Sequence, residues 1–213
     1  MPKELIFVLG GARSGKSAFA ERLAALRQAQ AGGRMLYVAT AEALDADMES
    51  RIANHRRQRP PEWDTLEEPL HLVSALPDAL QGYDTCLLDC LTLWVSNMLL
   101  GMEGSPHPSP PPEGEGINAE EEILAAARRL MEAYEQSPAT WIVVSNEVGL
   151  GVVPPSRLGA AYRDALGRVN QAVAARADKV YFMVAGLALE MKSLGALPYA
   201  AVESPFDKPR IEE

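Results

Sequence analysis

The chain has 213 residues, of which 47% are hydrophobic and 23% are charged, and its formal net charge is −9. This length and composition are typical of one soluble globular domain with a core of its own. The negative charge argues against a general nucleic-acid binder, which needs a basic surface to neutralise phosphates. It leaves room for a small phosphorylated ligand, because backbone amides and a few cations can hold one locally.

The number of cysteines and the lengths of the apolar runs indicate the cellular compartment. Cys86 and Cys90 are the only two cysteines, so a disulfide framework and a four-cysteine zinc site are excluded, and we interpret both as buried thiols in a reducing compartment. The first apolar run, residues 5–9, is too short for a signal peptide, and no segment approaches the ~18 apolar residues of a membrane span. We therefore expect a cytoplasmic protein without a membrane span.

Short apolar runs alternate with longer helical patterns along the chain. The predicted strands are residues 5–9, 35–39, 85–89, 140–145 and 179–184. The predicted helices are residues 16–31, 43–57, 70–80, 91–100, 119–136 and 156–177. Strands that are apolar throughout are typical of a sheet covered on both faces. The alternation predicts an α/β fold with a mostly parallel sheet, which we expect to be a single domain over residues 1–213.

Two segments fall outside this pattern. Residues 104–116 read GSPHPSPPPEGEG, and prolines at this density form neither a helix nor a strand ladder. We interpret residues 102–117 as a flexible surface loop, and a Pro-rich ligand for a partner domain is the open alternative. Residues 193–213 are poorly patterned and are interpreted as a tail.

The first predicted strand runs directly into the segment GGARSGKS, which fits the phosphate-binding pattern G-x-x-x-x-G-K-[ST] of a P-loop. A helical pattern follows at once, as the mechanism requires. Backbone amides and the helix dipole would hold the phosphates, Lys16 would act on the β- and γ-phosphates, and the Ser17 hydroxyl would bind Mg²⁺. The predicted nucleotide contacts here are Gly10, Gly11, Ala12, Arg13, Ser14, Gly15, Lys16 and Ser17. The predicted fold is therefore of the P-loop NTPase (RecA-like) type, and a chance glycine-rich turn is the alternative.

Asp89 ends the third predicted strand. Ligands of open α/β sheets bind at the carboxyl ends of the strands, so we predict Asp89 as the second Mg²⁺ ligand. Capping of the following helix is the alternative, and both roles can hold. Neither the GTPase motifs Asp-x-x-Gly and Asn-Lys-x-Asp nor the Ser-Gly-Gly-Gln of transporter ATPases occurs. Their absence favours a small-molecule kinase.

His55 is the histidine expected to face the interior, because it shares one face of a predicted helix with apolar residues. This face consists of Leu44, Met48, Ile52 and His55. His71 is expected on the surface, and His107 lies in the Pro-rich segment. A neutral imidazole can attack phosphorus, and the arginines that follow His55 can bind a phosphate chain. A half-buried structural histidine, with arginines that complete the helix dipole, is the alternative.

Further motifs give the chain a recognisable pattern. It resembles the bifunctional adenosylcobinamide kinase / adenosylcobinamide-phosphate guanylyltransferase family of cobalamin biosynthesis. The most specific pieces are His-Arg-x-x-Arg-Pro at 55–60 and Asn-Glu-Val-Gly-x-Gly-x-x-Pro at 146–154. The other matching pieces are the P-loop, YVATA at 37–41, Trp63, EEP at 67–69, LLDCLT at 87–92, Asn97, and Arg163-Asp164-x-x-Gly167-x-x-Asn170-Gln171.

The resemblance implies two successive reactions and a homotrimer. ATP or GTP phosphorylates the hydroxyl of the aminopropanol arm of adenosylcobinamide. GTP then gives GMP to a histidine, and adenosylcobinamide phosphate takes this GMP to become adenosylcobinamide-GDP. The guanylylated histidine falls on His55, which with Lys16 forms the predicted catalytic pair. The implied nucleotide contacts outside the P-loop are Thr40, Ala41, Glu42, Arg56, Arg57, Gln58, Arg59, Glu67 and Asp89.

Two departures and two alternatives accompany this interpretation. Asp89 stands where the family often has glutamate, and Asn54 precedes His55 where some members have a second histidine. A P-loop kinase of another small metabolite would make no nucleotidyl-enzyme. A nucleotide-dependent regulatory module would use the Pro-rich loop as its partner site.

Overall fold

The computed structural model describes residues 2–42, 56–57, 59–103, 119–198 and 201. The strands are β1 (Leu5–Gly10), β2 (Met35–Ala39), β3 (Asp64–Glu67), β4 (Thr85–Asp89), β5 (Thr140–Asn146), β6 (Lys179–Val184) and β7 (Leu187–Glu190). The helices are α1 (Lys16–Ala31), α2 (Leu72–Ala79), α3 (Leu91–Glu103), α4 (Ala119–Gln136) and α5 (Arg157–Arg176), followed by a 3₁₀ turn at Lys192–Leu194.

The seven strands within the described residues form one sheet, in the order β3-β2-β4-β5-β1-β6-β7. Every neighbouring pair is parallel except β6 and β7, which are antiparallel. The mostly parallel α/β sheet predicted from the sequence is thus confirmed. The carboxyl ends of β1, β2, β4 and β5 meet at one edge, where the P-loop begins.

Two-sided burial explains why the central strands are apolar throughout. Along β1, Leu5 and Phe7 pack into the core shared with α2, α3, α4 and α5, while Ile6 and Val8 pack into the core that contains α1. All four side chains are buried. Side chains of successive strand residues point to opposite faces, so both faces of β1 require apolar residues and both are covered by helices.

The two strands at the edges of the sheet were not predicted from the sequence. β3 reads Asp-Thr-Leu-Glu and is largely exposed, and β7 is a four-residue strand that, among the described strands, pairs with β6 alone. The turn between β6 and β7 is made by Ala185 and Gly186, with φ of 52° and 81°. Two positive φ values are typical of a type I′ hairpin turn. Edge strands are covered less than central ones, so they lack the continuous apolar run that predicts a strand.

The helix boundaries differ from the prediction by a few residues. α2 begins at Leu72, two residues later than predicted, and α3 extends to Glu103, so it includes the first two residues of the predicted loop 102–117. Ser156 caps α5 by accepting a hydrogen bond from the Gly159 amide at 3.1 Å. The predicted helix 43–57 up to residue 55, the loop from residue 104 and most of the tail lie outside the described residues. Within the described ranges, no helix is long and apolar enough to cross a bilayer.

Gly167 lies in the middle of α5, where a glycine lowers helix stability. A Cβ added at Gly167 would have no described atom within 4 Å, so an alanine fits without strain. We expect Gly167→Ala to raise the free energy of unfolding by about 0.5–1 kcal/mol. Urea denaturation followed by circular dichroism measures this, and a loss of stability would contradict the open space described beside α5.

Candidate active site

The P-loop begins where β1 ends, and its geometry requires glycine. A Cβ added at Gly10 would lie 2.5 Å from the Met183 carbonyl oxygen, which no side chain tolerates. Arg13 and Gly15 have left-handed backbones, with φ of 57° and 91°. Ala12 and Arg13 are exposed, Gly11 is half-buried and Ser14 is buried. Left-handed residues within such a loop turn successive amides towards one concavity, which is typical of an anion-binding nest.

Two other segments hold the P-loop in place. The Gly186 amide, at the β6–β7 turn, donates to the Ser14 carbonyl at 3.0 Å, and the Glu147 amide, just after β5, donates to the Gly10 carbonyl at 3.1 Å. The β6–β7 hairpin, which the sequence did not predict, therefore packs directly against the phosphate cradle. Its turn signal, Ala-Gly after an apolar strand, is weak on its own.

Lys16, the first residue of α1, points back across the loop. Its Nζ donates to the Gly11 carbonyl at 3.3 Å. Burial lowers the pKa of Lys16, while the neighbouring Cys90 and Asp89 act in the opposite direction. The structure thus brings Lys16 near Asp89. Phosphate oxygens beside this ammonium would favour its charged form further.

Two side chains in succession, those of Tyr37 and Arg59, support Asp89 at the end of β4. The Tyr37 hydroxyl donates to Asp89 Oδ2 at 3.0 Å, and the Arg59 guanidinium carbon lies 3.6 Å from the centroid of the Tyr37 ring. Burial, together with the charge of Asp89, raises the pKa of Tyr37, so the phenol keeps its proton and stays a donor. Nε and Nη1 of Arg59 are buried and have no hydrogen-bond partner among the described residues. A cation with buried, unsatisfied donors favours a bound anion.

The remaining predicted nucleotide contacts lie around the same edge. Arg56 and Glu67 form an ion pair, and both side chains are about half exposed. Arg57 and Glu42 are exposed, and Ala41 is half-buried. His55 and Gln58 lie outside the described residues. The structure therefore brings Lys16, Asp89 and Arg59 to one region and leaves the position of the predicted nucleophile undescribed.

Thr40 has a different setting from the other predicted contacts, because it is fully buried. Its hydroxyl donates to the Cys90 carbonyl at 2.7 Å and accepts from the Cys90 amide at 2.9 Å. Asn97 in α3 donates to the carbonyls of Thr40 at 2.9 Å and Pro69 at 3.1 Å. These bonds tie the end of β2 to the residue after Asp89. A nucleotide contact at Thr40 stays a prediction, and its hydroxyl is engaged by backbone.

We expect Thr40→Val to lower the free energy of unfolding by about 1–3 kcal/mol, because it leaves the buried amide of Cys90 without its partner. The Cys90 carbonyl loses one bond and still accepts from the Trp94 amide at 3.3 Å. Thr40→Ser keeps the hydroxyl and should lose less than about 1 kcal/mol, the transfer free energy of one methyl group. Equilibrium unfolding in urea compares the two variants. Equal stability of Thr40→Val and the unaltered protein would show that the hydroxyl does not stabilise the fold.

The predicted Mg²⁺ ligands fit the ion chemically. Ser17 lies in the first turn of α1 and Asp89 at the end of β4, and a hydroxyl and a carboxylate are the oxygen ligands that Mg²⁺ prefers. Within the described ranges, no group of three or more His, Cys, Asp or Glu could hold a metal ion.

Comparisons with known proteins extend over most of the chain. A family model described as cobinamide kinase / cobinamide phosphate guanyltransferase matches residues 6–191. The bifunctional adenosylcobalamin biosynthesis protein CobP of Pseudomonas aeruginosa is 43% identical over 185 residues, which cover 87% of this chain and 95% of the relative. The bifunctional adenosylcobalamin biosynthesis protein CobU of Escherichia coli K12 is 39% identical over 188 residues, which cover 88% of this chain and 99% of the relative.

Among solved structures, the flagellar accessory protein FlaH of Methanocaldococcus jannaschii aligns with a TM-score of 0.46 at 11% identity, over 88% of this chain and 76% of that one. A solved ATPase domain aligns with a TM-score of 0.49 at 12% identity, over 84% of this chain and 69% of that one. The family match includes the P-loop, Asp89 and six of the seven strands in full. On the strength of that match and of these close relatives in sequence, the chain belongs to the cobinamide kinase / cobinamide phosphate guanyltransferase family.

Proposed function

We propose that this protein phosphorylates adenosylcobinamide with ATP or GTP and then transfers GMP from GTP to the adenosylcobinamide phosphate. The observation that carries the proposal is the convergence of a P-loop, Lys16 and Asp89 at one sheet edge in a chain of this family. Arg59, whose Nε and Nη1 are buried without a hydrogen-bond partner among the described residues, supports a polyphosphate at the same edge.

The first reaction is a phosphoryl transfer. The acceptor hydroxyl oxygen bonds to the γ-phosphorus, the bond from that phosphorus to the β–γ bridging oxygen breaks, and the nucleoside diphosphate leaves while the hydroxyl proton is released. Lys16 and the P-loop amides stabilise the charge on the transferring and leaving groups. Mg²⁺ bound by Ser17 and Asp89 would supply further positive charge to the β- and γ-phosphates.

The second reaction places GMP on a histidine, and the family resemblance supports His55 for this role. An imidazole nitrogen bonds to the α-phosphorus of GTP, the bond between the α-phosphorus and the α–β bridging oxygen breaks, and pyrophosphate leaves. An oxygen of the acceptor phosphate then bonds to the same phosphorus, and the nitrogen–phosphorus bond breaks. Arg56 and Arg59, which the family resemblance implies as nucleotide contacts, would stabilise the departing pyrophosphate.

Incubation of the purified protein with adenosylcobinamide tests this proposal. With ATP alone, the product should be the phosphate monoester, and with added GTP it should become adenosylcobinamide-GDP, both separable by chromatography and mass spectrometry. A kinase of another metabolite would leave adenosylcobinamide unchanged and would release ADP only with a different hydroxyl compound. Failure to convert adenosylcobinamide by a folded, ATP-binding preparation would refute the proposal.

We also propose a cytoplasmic homotrimer. Cys86 and Cys90 are free, buried thiols, which is typical of a reducing compartment. Val184, Leu187 and Leu189 on the β6–β7 hairpin are 55%, 75% and 49% exposed, and contact between copies would cover them. Sedimentation equilibrium measures the mass of the assembly, and a monomer at micromolar concentration would contradict the trimer.

A further inference from the structure

A polar cavity of about 530 Å³ lies beneath the P-loop, on the face of the sheet covered by α5. Its lining includes Glu147, Gly149, Arg163, Asp164, Gly167 and Asn170. Because the Glu147 amide is bonded to the Gly10 carbonyl at 3.1 Å, one wall of the cavity adjoins the first glycine of the P-loop. None of the nucleotide contacts or metal ligands predicted from the sequence lines this cavity.

The polar groups of the cavity are fixed in place by hydrogen bonds. Asn170 is buried, accepts from the Ser145 hydroxyl at 2.7 Å and donates to the Asn146 carbonyl at 2.9 Å. Glu147 accepts from the Gly149 amide at 2.7 Å. The side-chain oxygen of Asn146, next to these groups, is buried and has no hydrogen-bond partner among the described residues. A wall of fixed polar groups with charges of both signs suits a ligand that carries hydroxyl groups.

Gly167 gives an independent indication that the cavity is kept open. It lies in the middle of the 20-residue α5, where a glycine is unfavourable. No described atom lies within 4 Å of a Cβ added there. Glycine is therefore not needed at this position to avoid a clash with a neighbouring element. Gly167 lines the cavity, and the lack of a side chain at this position leaves the cavity its width.

The polar cavity continues into a second one of about 580 Å³ with a more apolar lining. The two cavities share Leu9, Arg168, Gln171 and Ala174. The second extends along α5 and β6 to the segment after the 3₁₀ turn, where Leu197 is largely exposed. Together they form one groove with a polar end beside the P-loop and an apolar end away from it.

We propose that this groove is the binding site of the acceptor. The polar end holds the hydroxyl-bearing arm of a large amphipathic acceptor within reach of the phosphates on the P-loop, and the apolar end holds its ring system. This inference rests on the proposed function, since the groove must receive whichever hydroxyl compound the P-loop phosphorylates. It adds the location of that compound and the side chains that contact it.

Arg163 has a specific part in the site. Its guanidinium forms an ion pair with Asp164 at 2.8 Å and is about one quarter exposed. In the second reaction the acceptor arm ends in a phosphate, and an arginine fork binds phosphate through two parallel hydrogen bonds. Arg163 therefore favours the phosphorylated acceptor over the unphosphorylated one, which suits a site that must bind both in turn.

Gly167→Phe fills the polar end and tests the proposal. We expect the KM for adenosylcobinamide to rise at least ~10-fold, because the ring occupies the space of the acceptor arm, while labelling of the protein by α-labelled GTP alone stays at the unaltered level. Ala161→Phe adds the same ring to an exposed position of α5 that lines neither cavity, and it should leave the KM unchanged.

Arg163→Met provides a second test if Gly167→Phe does not fold. Loss of a charge-assisted contact to phosphate should raise the KM for adenosylcobinamide phosphate by ~10–100-fold and raise that for adenosylcobinamide less. Arg157→Met, an exposed arginine at the start of α5, is the matched control. Unchanged KM values in both Gly167→Phe and Arg163→Met would overturn the acceptor site. Failure of the unaltered protein to use adenosylcobinamide would overturn the proposed function instead.

Discussion

Lys16→Met should lower kcat/KM for phosphorylation of adenosylcobinamide by about 10²–10³-fold, the usual loss when a preorganised donor to the reacting group is removed. Lys16 lies at the first residue of α1, and its Nζ is already directed across the loop to the Gly11 carbonyl at 3.3 Å. Methionine keeps most of the apolar stem, so the loop is expected to fold while the charge and the hydrogen-bond donor are lost. A coupled assay for nucleoside diphosphate measures the rate.

The control for Lys16→Met is Arg22→Met, which removes an exposed cation from the same helix. It should leave kcat/KM within about twofold, because exposed charges in water contribute little to distant sites. The thermal unfolding temperature of both variants should stay near that of the unaltered protein. If Lys16→Met retained most of its activity, the P-loop would not be the phosphoryl-transfer site.

His55→Ala should abolish the second reaction and spare the first. Loss of a covalent nucleophile removes the route through the guanylyl-enzyme, and we expect the rate of GMP transfer to fall at least ~10³-fold. Phosphorylation of adenosylcobinamide by ATP should persist, since it needs the P-loop, Lys16 and Asp89. Production of the phosphate monoester without adenosylcobinamide-GDP, measured by chromatography, is the expected pattern.

His71→Ala is the matched control for His55→Ala. His71 is exposed at the residue before α2, and its removal should leave both reactions unchanged. A kinase of another metabolite, with His55 structural, predicts instead that no transfer of GMP occurs in any variant. Undiminished formation of adenosylcobinamide-GDP by His55→Ala would contradict the assignment of the nucleophile.

Local and periodic signals explain what could be predicted from the sequence. β1 and β5 were predicted because strands covered on both faces must be apolar throughout. The P-loop was predicted because its glycines, Lys16 and Ser17 lie within eight residues of one another and between a strand and a helix. Asp89 follows from the same logic, since the end of a parallel strand fixes its place at the ligand-binding edge.

The contacts that the sequence did not predict join residues far apart in the chain. Tyr37 meets Asp89 across 52 positions and Thr40 meets Cys90 across 50. Such pairs depend on which strands lie side by side, and no local pattern encodes that order. The edge strands β3 and β7 were missed for a related reason, because partial exposure removes their apolar signal. The β6–β7 hairpin is therefore a support of the P-loop that only the structure shows.

Mass spectrometry of the protein after incubation with GTP and Mg²⁺ at neutral pH shows whether a protein that transfers phosphoryl groups also transfers GMP through a histidine. We expect a single GMP adduct on the intact protein. It should map to the peptide that contains His55, be removed by mild acid and be discharged by adenosylcobinamide phosphate. An adduct on another residue, or no adduct in a preparation that forms adenosylcobinamide-GDP, would contradict this expectation.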